Sequence, residues 1–152
     1  MEDGRILKSR LRASSLYNSY YGPYSARLQA RNYGSTRGGW IARIRNTHQW
    51  IQVDLEKVAT LKGVATQGRY DATQYVKSYI VTFSRNGRRF VPYREGRKIK
   101  VSVIVVLSRE TDSRQLILVY AHFYLSFGNW TKFTINFCLK GTFLCQIGRA
   151  HV

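Results

Sequence analysis

Residues 49–93 read QWIQVDLEKVATLKGVATQGRYDATQYVKSYIVTFSRNGRRFVPY, and this stretch decides the fold. Its first run alternates in character, with one face formed by Trp50, Gln52 and Asp54 and the other by Ile51, Val53 and Leu55. The run from Tyr75 to Ser84 alternates in the same way and places Tyr79, Val81 and Phe83 on one face. A period of two residues is the pattern of a half-buried β-strand. The stretch therefore predicts strands that each bury one face.

The connections between these strands carry their own signals. Glu56 to Thr60 is predicted to form a polar turn before a strand at Leu61 to Thr66, and Gln67 to Gln74 is predicted to form a loop. Asn86-Gly87 is the strongest short-range hairpin signal, because a two-residue turn needs positive φ at both central positions. Phe90 to Tyr93 should pair back across it. Short strands and loops at this spacing predict an antiparallel sandwich or barrel.

Composition narrows the class of protein and of partner. A chain of 152 residues suits one domain, and 44% hydrophobic residues indicate a globular chain. The net charge of +17 suggests an anionic partner such as nucleic acid, an acidic membrane surface or a sulfated glycan. The alternative is an extracellular domain that is merely basic, since the basic residues are scattered. No nucleic-acid-binding motif is present, so a nucleic-acid partner is not predicted.

Two further loops precede the central stretch. Leu16 to Tyr24 reads LYNSYYGPY and interleaves four tyrosines with turn-forming residues, and Asn32 to Gly39 is glycine-rich and carries Tyr33. The N-terminus lacks the apolar core of a signal peptide, so an extracellular domain would need an export signal upstream. Gln115 to Phe127 is mostly apolar but too short to span a bilayer, which takes about 20 residues.

Several segments resemble one known family in consistent order and spacing. They are MEDGRI (1–6), RASS (12–15), YYGPYSARL (20–28), Gly39-Trp40, QWIQVDL (49–55), VATQGRYDATQYVKSYIVTFSRNG (64–87) and PYREG (92–96). From Glu2 to about Lys100 the chain resembles the discoidin domain, also called the coagulation factor V/VIII type C domain. The resemblance implies an all-β, jelly-roll-like β-sandwich or barrel of the galactose-binding-like type. It also implies a binding module, not an enzyme, with no cofactor and no metal.

The resemblance places ligand binding in three loops at one end of the barrel: Tyr17 to Tyr24, Asn32 to Gly39 and Gly68 to Gln74. The predicted ligand-binding residues are Tyr20, Tyr21, Tyr24, Tyr33, Arg37, Arg69, Tyr70, Asp71 and Gln74. Exposed tyrosines can insert at a membrane interface, stack on a sugar ring or anchor a protein, and arginines can bind phosphate, sulfate or carboxylate. The alternative is that some of these tyrosines simply cover the end of the barrel.

Three further residues at strongly patterned family positions are predicted to be structural. They are Trp40, Trp50 and Asp54. Trp50 is expected to fill the core or a barrel edge, and Asp54 to hold a neighbouring backbone or an arginine, because an unpaired buried carboxylate is costly. No catalytic residue is predicted, since Asp54 has no His, Cys or Ser partner at useful spacing. The lone His48 is given no role.

The predicted function is an extracellular module for cell adhesion or recognition, secreted or part of the ectodomain of a membrane protein. Its ligand would be a glycan, a matrix protein or an anionic phospholipid. The alternative is a soluble, secreted, lectin-like protein of defence or agglutination. An enzyme remains possible only if the domain is a targeting unit attached to a catalytic domain outside this chain.

After Lys100 the chain no longer matches the family pattern. Residues 1–100 are therefore expected to be a discoidin domain that lacks its last strands, and 101–152 an unrelated tail. Lys100-Val101-Ser102 is what a splice-donor sequence would encode, and residues 146–152 match a translated sequencing adapter. We expect a retained intron with adapter read-through, exposed strand edges and poor folding. Mapping the transcript to its genome tests this, and Cys138 and Cys145 are not expected to form the family disulfide.

Overall fold

The computed structural model describes residues 6–59, 64–69, 74–99, 101–103, 130–137 and 146–148. Three single-turn 3-10 helices in these residues span Lys8–Arg10, Ser19–Tyr21 and Pro23–Ser25. The strands are Leu11–Ala13 (β1), Trp50–Ala59 (β2), Ala65–Gln67 (β3), Ser78–Ser84 (β4), Val91–Pro92 (β5), Arg94–Glu95 (β6), Lys98–Ile99 (β7), Val101–Val103 (β8), Trp130–Phe137 (β9) and Gln146–Gly148 (β10). The described part of the chain contains no helix long and apolar enough to cross a membrane.

The largest sheet has the strand order β1-β2-β9-β4-β5, and β8 pairs with the same edge of β4 as β5. β9 is antiparallel to both β2 and β4, so β2 and β4 run in the same direction. The segments that lead into β2 and β4 therefore meet at one end of the sheet. The segments that leave these strands reach the other end. This arrangement decides which loops can share a site.

The core lies on the face of the sheet that the alternation predicts. Ile51 and Val53 of β2 are fully buried, and Tyr79, Val81 and Phe83 of β4 are buried beside them. Each large apolar side chain removed from water contributes about 1.5–3 kcal/mol, so these residues make the period-two pattern a strong constraint on register. The predicted alternation of both strands is confirmed.

The predicted polar turn at Glu56 to Thr60 is wrong over the described residues, because β2 continues to Ala59. The polar residues mark a β-bulge: the register with β9 shifts between Asp54 and Ala59, and Glu56 has a φ of 64°. Asp54 Oδ1 accepts a hydrogen bond from the Glu56 N–H at 2.9 Å, which supports this backbone conformation. Four residues of β2, 55–58, lie between Asp54 and Ala59, whereas β9 has one residue between Lys132 and Trp130, so β2 carries three extra residues here without ending. Thr60 lies outside the described residues.

The hairpin at Asn86-Gly87 is correctly placed but has a different geometry from the predicted one. Only Gly87 has positive φ, at 70°, and Phe83 pairs with Val91, so the connection is longer than two residues. Asn86 Oδ1 instead accepts hydrogen bonds from the backbone N–H groups of Arg88 and Arg89 at 2.9 and 3.1 Å. The asparagine thus closes the turn with its side chain, as short polar residues commonly do.

The remaining strands fall partly on segments that were predicted differently. The strand expected at Leu61 to Thr66 is observed only in part: β3 covers Ala65–Gln67 and pairs with β10, Val64 precedes it, and residues 61–63 lie outside the described residues. β4 begins at Ser78, three residues later than predicted. β8 and β9 come from the segment after Lys100 and both pair with β4. The boundary at residue 100 and the origin of residues 101–152 stay predictions, and Cys138, Cys145 and the run 115–127 lie outside the described residues.

Candidate functional site

The loops that precede β2 converge at the end of the sheet where β2 begins. The Ser14 N–H donates to the Trp50 carbonyl at 3.0 Å, which continues the β1–β2 pairing for one more residue. The Tyr17 N–H then donates to the Ile41 carbonyl at 2.8 Å. These two bonds place the first predicted binding loop, Tyr17 to Tyr24, directly at this end of the sheet.

The first loop is shaped by its own turn-forming residues. Asn18 Oδ1 accepts a hydrogen bond from the Tyr20 N–H at 3.0 Å and caps the turn Ser19–Tyr21. Gly22 is required by close packing: a Cβ at this position would lie 2.4 Å from the ring of Tyr24. The Tyr24 hydroxyl donates to the Ser19 carbonyl, so this tyrosine forms a hydrogen bond across its own loop.

The second loop is a small hairpin that presents Tyr33. The backbones of Tyr33 and Thr36 exchange two hydrogen bonds of 3.0 Å, and Gly34 between them has a φ of 55°, which glycine adopts without strain. Asn32 Oδ1 accepts from the Gly38 N–H at 3.1 Å and closes the base of the loop. Tyr33 lies at the tip of this loop and is 87% exposed.

Two backbone hydrogen bonds hold the first and second loops together. The Arg37 N–H donates to the Tyr20 carbonyl at 2.9 Å, and the Ile41 N–H donates to the Tyr21 carbonyl at 3.3 Å. Backbone bonds of this kind fix the relative position of the loops more tightly than side-chain contacts alone. Tyr20 and Arg37 therefore lie side by side at the sheet end.

The third loop meets the first through Arg69. The Arg69 guanidinium lies over the Tyr21 ring, 5.5 Å from its centroid, a distance suited to a cation–π contact. The base of the loop is closed by the Arg69 N–H, which donates to the Gln74 carbonyl at 2.8 Å, and by Arg69 Nη1, which donates to Gln74 Oε1 at 3.2 Å. The edge of Tyr17 packs against Tyr21 at 6.2 Å between ring centroids. Tyr21 is thus the residue on which the first and third loops meet.

The structure brings most of the predicted binding residues to one end of the sheet. Those residues are Tyr20, Tyr21, Tyr33, Arg37, Arg69 and Gln74. Tyr24 differs, because its ring covers Gly22 and faces the Lys8 ammonium at 5.6 Å, which leaves it less available to a ligand. Tyr70 and Asp71 lie outside the described residues. We name the exposed surface formed by Tyr17, Tyr20, Tyr33, Arg37, Arg69 and Gln74 the tyrosine end.

Tyr17 belongs to this surface, although it was not among the predicted binding residues. Its side chain is 63% exposed, more than the 48% of Tyr20. The available signal was its place in the tyrosine-rich loop sequence LYNSYYGPY. Spacing alone did not distinguish a tyrosine that points to solvent from one that braces the loop.

The two tryptophans at patterned positions have different environments. Trp40 is fully buried, and its Nε1–H donates to the Ser15 carbonyl at 2.7 Å. This bond satisfies a polar group that would be costly to bury alone. Trp50 is half-buried and lies on the strand face opposite to Ile51. Trp40 therefore anchors the second loop to the core.

Asp54 lies far from the tyrosine end and is surrounded by cations. Its Oδ2 is 3.4 Å from Arg10 Nη1 and 3.3 Å from Lys132 Nζ. Burial raises the pKa of the Asp54 carboxyl, but the Glu56 N–H, Lys132 and Arg10 together outweigh burial and hold that pKa below its usual value. The charges satisfy the carboxylate in place, and the described residues contain no group of three His, Cys, Asp or Glu that could hold a metal ion.

The model of the F5/8 type C domain family matches residues 10–134. The chain belongs to the F5/8 type C domain family. The match crosses residue 100 and so does not locate the predicted boundary there.

Individual relatives agree with this membership. The chain is 37% identical over 101 residues to coagulation factor V of Bos taurus, a match that covers 62% of this chain and 4% of that protein. It is 33% identical over 127 residues to neuropilin-2 of Rattus norvegicus, which covers 80% of this chain and 13% of that protein. The solved structure of discoidin II of Dictyostelium discoideum shares the fold, with a TM-score of 0.72 at 19% identity over 90% of this chain and 52% of that one. The chain thus spans a small part of coagulation factor V and of neuropilin-2, and about half of the discoidin II chain.

Membership states the kind of protein and leaves its particular ligand open. F5/8 type C domains are binding modules without enzymatic activity, and they bind carbohydrates, phospholipids and proteins in extracellular settings. The all-β fold of this F5/8 type C domain agrees with the predicted jelly-roll sandwich.

Proposed function

We propose that this F5/8 type C domain is an extracellular recognition module that binds a glycan of the cell surface or matrix at the tyrosine end. The observation that carries the proposal is the meeting of three loops there. Backbone bonds join the first two loops, and Arg69 stacked on Tyr21 joins the third. Preorganised loops lose less entropy when a ligand binds, which favours recognition at such a surface.

The exposed side chains at the tyrosine end favour a sugar over the interior of a lipid bilayer. Tyr17, Tyr20 and Tyr33 offer flat rings for stacking and hydroxyl groups for hydrogen bonds. Arg37 and Arg69 add cationic donors for a carboxylate or sulfate on the ligand. Tyrosine has an apolar ring and a polar hydroxyl group. The surface therefore suits a polar ligand that also presents apolar faces.

The proposal is tested by a glycan array and by vesicles of phosphatidylserine, with the tyrosine hydroxyls as the probe. The variant Y20F/Y33F keeps both rings and removes both hydroxyls. We expect it to weaken glycan binding by about five- to thirtyfold, since two hydrogen bonds of about 0.5–1 kcal/mol each are lost. Y20A/Y33A is expected to abolish detectable binding. V58A, on an exposed residue of β2 outside the loops, is the control and should bind as the parent chain does.

Three results would contradict this function. The surface would be assigned to lipid if the domain bound phosphatidylserine vesicles but no glycan, and if Y20F/Y33F kept that binding. Binding to a matrix protein alone would assign it to a protein ligand. Glycan binding that is unchanged in Y20A/Y33A would remove the tyrosine end from the interaction.

A further inference from the structure

A second surface of this domain is distinguished by charge. Residues 85–98 read RNGRRFVPYREGRK and form the turn after β4, strand β5 and the β6–β7 hairpin. We name this stretch the basic segment. It contains one carboxylate, Glu95, and six basic side chains that are all exposed: Arg85, Arg88, Arg89, Arg94, Arg97 and Lys98. No other stretch of this length in the described chain has such an excess of exposed cations.

The basic segment lies away from the tyrosine end. β4 runs from Ser78, beside the beginning of β2, to Ser84, and Arg85 follows directly. Ser84 is opposite Lys132, which in turn is opposite Asp54, several residues along β2 from Trp50. The turn of the basic segment therefore occupies the end of the sheet opposite to the three loops.

The β6–β7 hairpin extends the charge along the sheet edge. β5 covers the second half of β4 and β8 covers the first half, so the hairpin between them leaves the edge near Val81. The Tyr93 N–H donates to the Val81 carbonyl at 2.8 Å and holds its base. An extended chain from Arg89 to Arg94 spans at most about 18 Å, so one linear ligand can contact both groups of cations.

The backbone of the segment is ordered by contacts that leave its charge in place. Asn86 Oδ1 accepts from the N–H groups of Arg88 and Arg89, which fixes the turn without a carboxylate. Arg94 Nη1 donates to the Arg97 carbonyl at 2.8 Å, a neutral acceptor. Even a full ion pair at Glu95 leaves a large positive excess. At physiological salt, charges beyond about 8 Å are screened, so this excess acts locally.

The chemistry of the segment selects among polyanions. Phe90 and Tyr93 are half-buried, and Tyr93 packs on Phe83 at 6.4 Å, so the described residues of the segment present no exposed aromatic ring. Single-stranded nucleic acids are bound by stacking on exposed rings as well as by charge. A planar guanidinium instead matches sulfate and carboxylate groups by paired hydrogen bonds. We infer that the basic segment binds a linear sulfated polysaccharide, independently of the ligand at the tyrosine end.

The probe is a size-defined heparin oligosaccharide, titrated at about 0.15 M salt. The variants R88Q/R89Q and R97Q/K98Q each remove two charges with little change of side-chain length. Each is expected to weaken binding by about tenfold, because two charged contacts with the ligand are lost. R88K/R89K keeps the charge and should recover most of the affinity. R43Q/R45Q removes two exposed charges from the loop before β2 and should change affinity by less than twofold.

The experiment separates this inference from simple net charge and from the proposed function. An equal loss in R43Q/R45Q and R88Q/R89Q would overturn the assignment, since both variants carry the same total charge. The choice of a polysaccharide would be overturned if the domain bound single-stranded DNA or phosphatidylserine vesicles as tightly as the oligosaccharide, and if the same variants weakened that binding. Y20A/Y33A should leave oligosaccharide binding unchanged, so failure at one surface is distinguishable from failure at the other. Cooperative urea unfolding, with a midpoint no lower than that of the parent chain, confirms that the variants fold.

Discussion

Asp54 shows how one side chain can serve structure through partners that are distant in the chain. Its two oxygens contact the backbone of Glu56, the guanidinium of Arg10 and the ammonium of Lys132. Arg10 also contacts Glu56, so the two carboxylates share their cations in a small network. Networks of this kind stabilise more than isolated exposed ion pairs do. The pKa of Asp54 is lowered first by the hydrogen bond from the Glu56 N–H and then by Lys132 and Arg10, which together outweigh the effect of burial.

We predict that D54N destabilises the fold at neutral pH and destabilises it less in acid. The pKa of Asp54 is lower in the folded than in the unfolded state, so its contribution is present above the ordinary value of 3.8 and is lost as pH falls through the folded-state value. The amide keeps an acceptor for the Glu56 N–H and removes only the charge. We expect a loss of about 1 kcal/mol in the free energy of unfolding at pH 6.

Urea unfolding at pH 6 and pH 3 measures this difference. E95Q, on an exposed carboxylate of the β6–β7 hairpin, is the matched control and should change stability by less than about 0.5 kcal/mol at either pH. A difference between D54N and the parent chain that is the same at both pH values would contradict an electrostatic role.

At the scale of elements, the three loops of the tyrosine end are held by one another instead of by regular secondary structure. The first and second loops share backbone hydrogen bonds, and the third is joined through Arg69 and Tyr21. Loops that lack strand ladders open more readily than the strands beneath them. The order of the tyrosine end thus depends on a few contacts between loops.

We predict that Y21L loosens the third loop without unfolding the sheet. The leucine keeps an apolar side chain and removes the aromatic face on which the Arg69 guanidinium lies. An exposed cation–π contact contributes about 0.5–1 kcal/mol, which corresponds to a two- to fivefold faster opening of the loop base. Hydrogen exchange at the Arg69 amide, which donates to the Gln74 carbonyl, reports this opening.

Y33A is the control for the same measurement, because Tyr33 is exposed on the second loop. It should leave exchange at the Arg69 amide unchanged. Equal acceleration in Y21L and Y33A, or none in Y21L, would mean that Tyr21 does not couple the first loop to the third.

At the scale of the whole molecule, the charge of +17 is the dominant long-range feature. Twenty-five basic and eight acidic residues repel one another on balance, and such self-repulsion opposes the compact state. Ion pairs such as those at Asp54 and Glu56 offset part of this repulsion. Eight acidic residues are too few to neutralise 25 basic ones, so most of the repulsion persists.

We predict that added salt stabilises this domain. Raising NaCl from about 10 to 150 mM shortens the screening length from about 30 to 8 Å and should raise the urea midpoint. R88Q/R89Q should show a smaller rise, because two of the repelling charges are absent. A midpoint that falls with salt would show that attractive ion pairs outweigh the repulsion.

The sequence predicted the strands well where burial alone selects the conformation. The alternation around Ile51 and Val53, and around Tyr79 and Val81, is a local property, because the polarity of each side chain indicates whether it lies on the buried or the exposed face of its strand. The prediction failed at a polar residue that can occur either in a turn or within an irregular strand. Glu56 reads as a turn residue, yet it sits in a bulge within β2, because Asp54 supports its positive φ and Arg10 pairs with its carboxylate.

The sequence by itself determined the faces of β2 and β4, the place of the Asn86-Gly87 turn and the three loops rich in tyrosine and glycine. These features depend on residues close in the chain, whose periodicity and turn chemistry are visible without the fold. Only the tertiary structure decided that β9 lies between β2 and β4, that Arg69 stacks on Tyr21, and that Tyr24 bonds back to its own loop while Tyr17 is exposed to solvent. The physical reason is that pairing over long chain separations depends on which edges and surfaces remain uncovered, and local sequence carries no record of that competition.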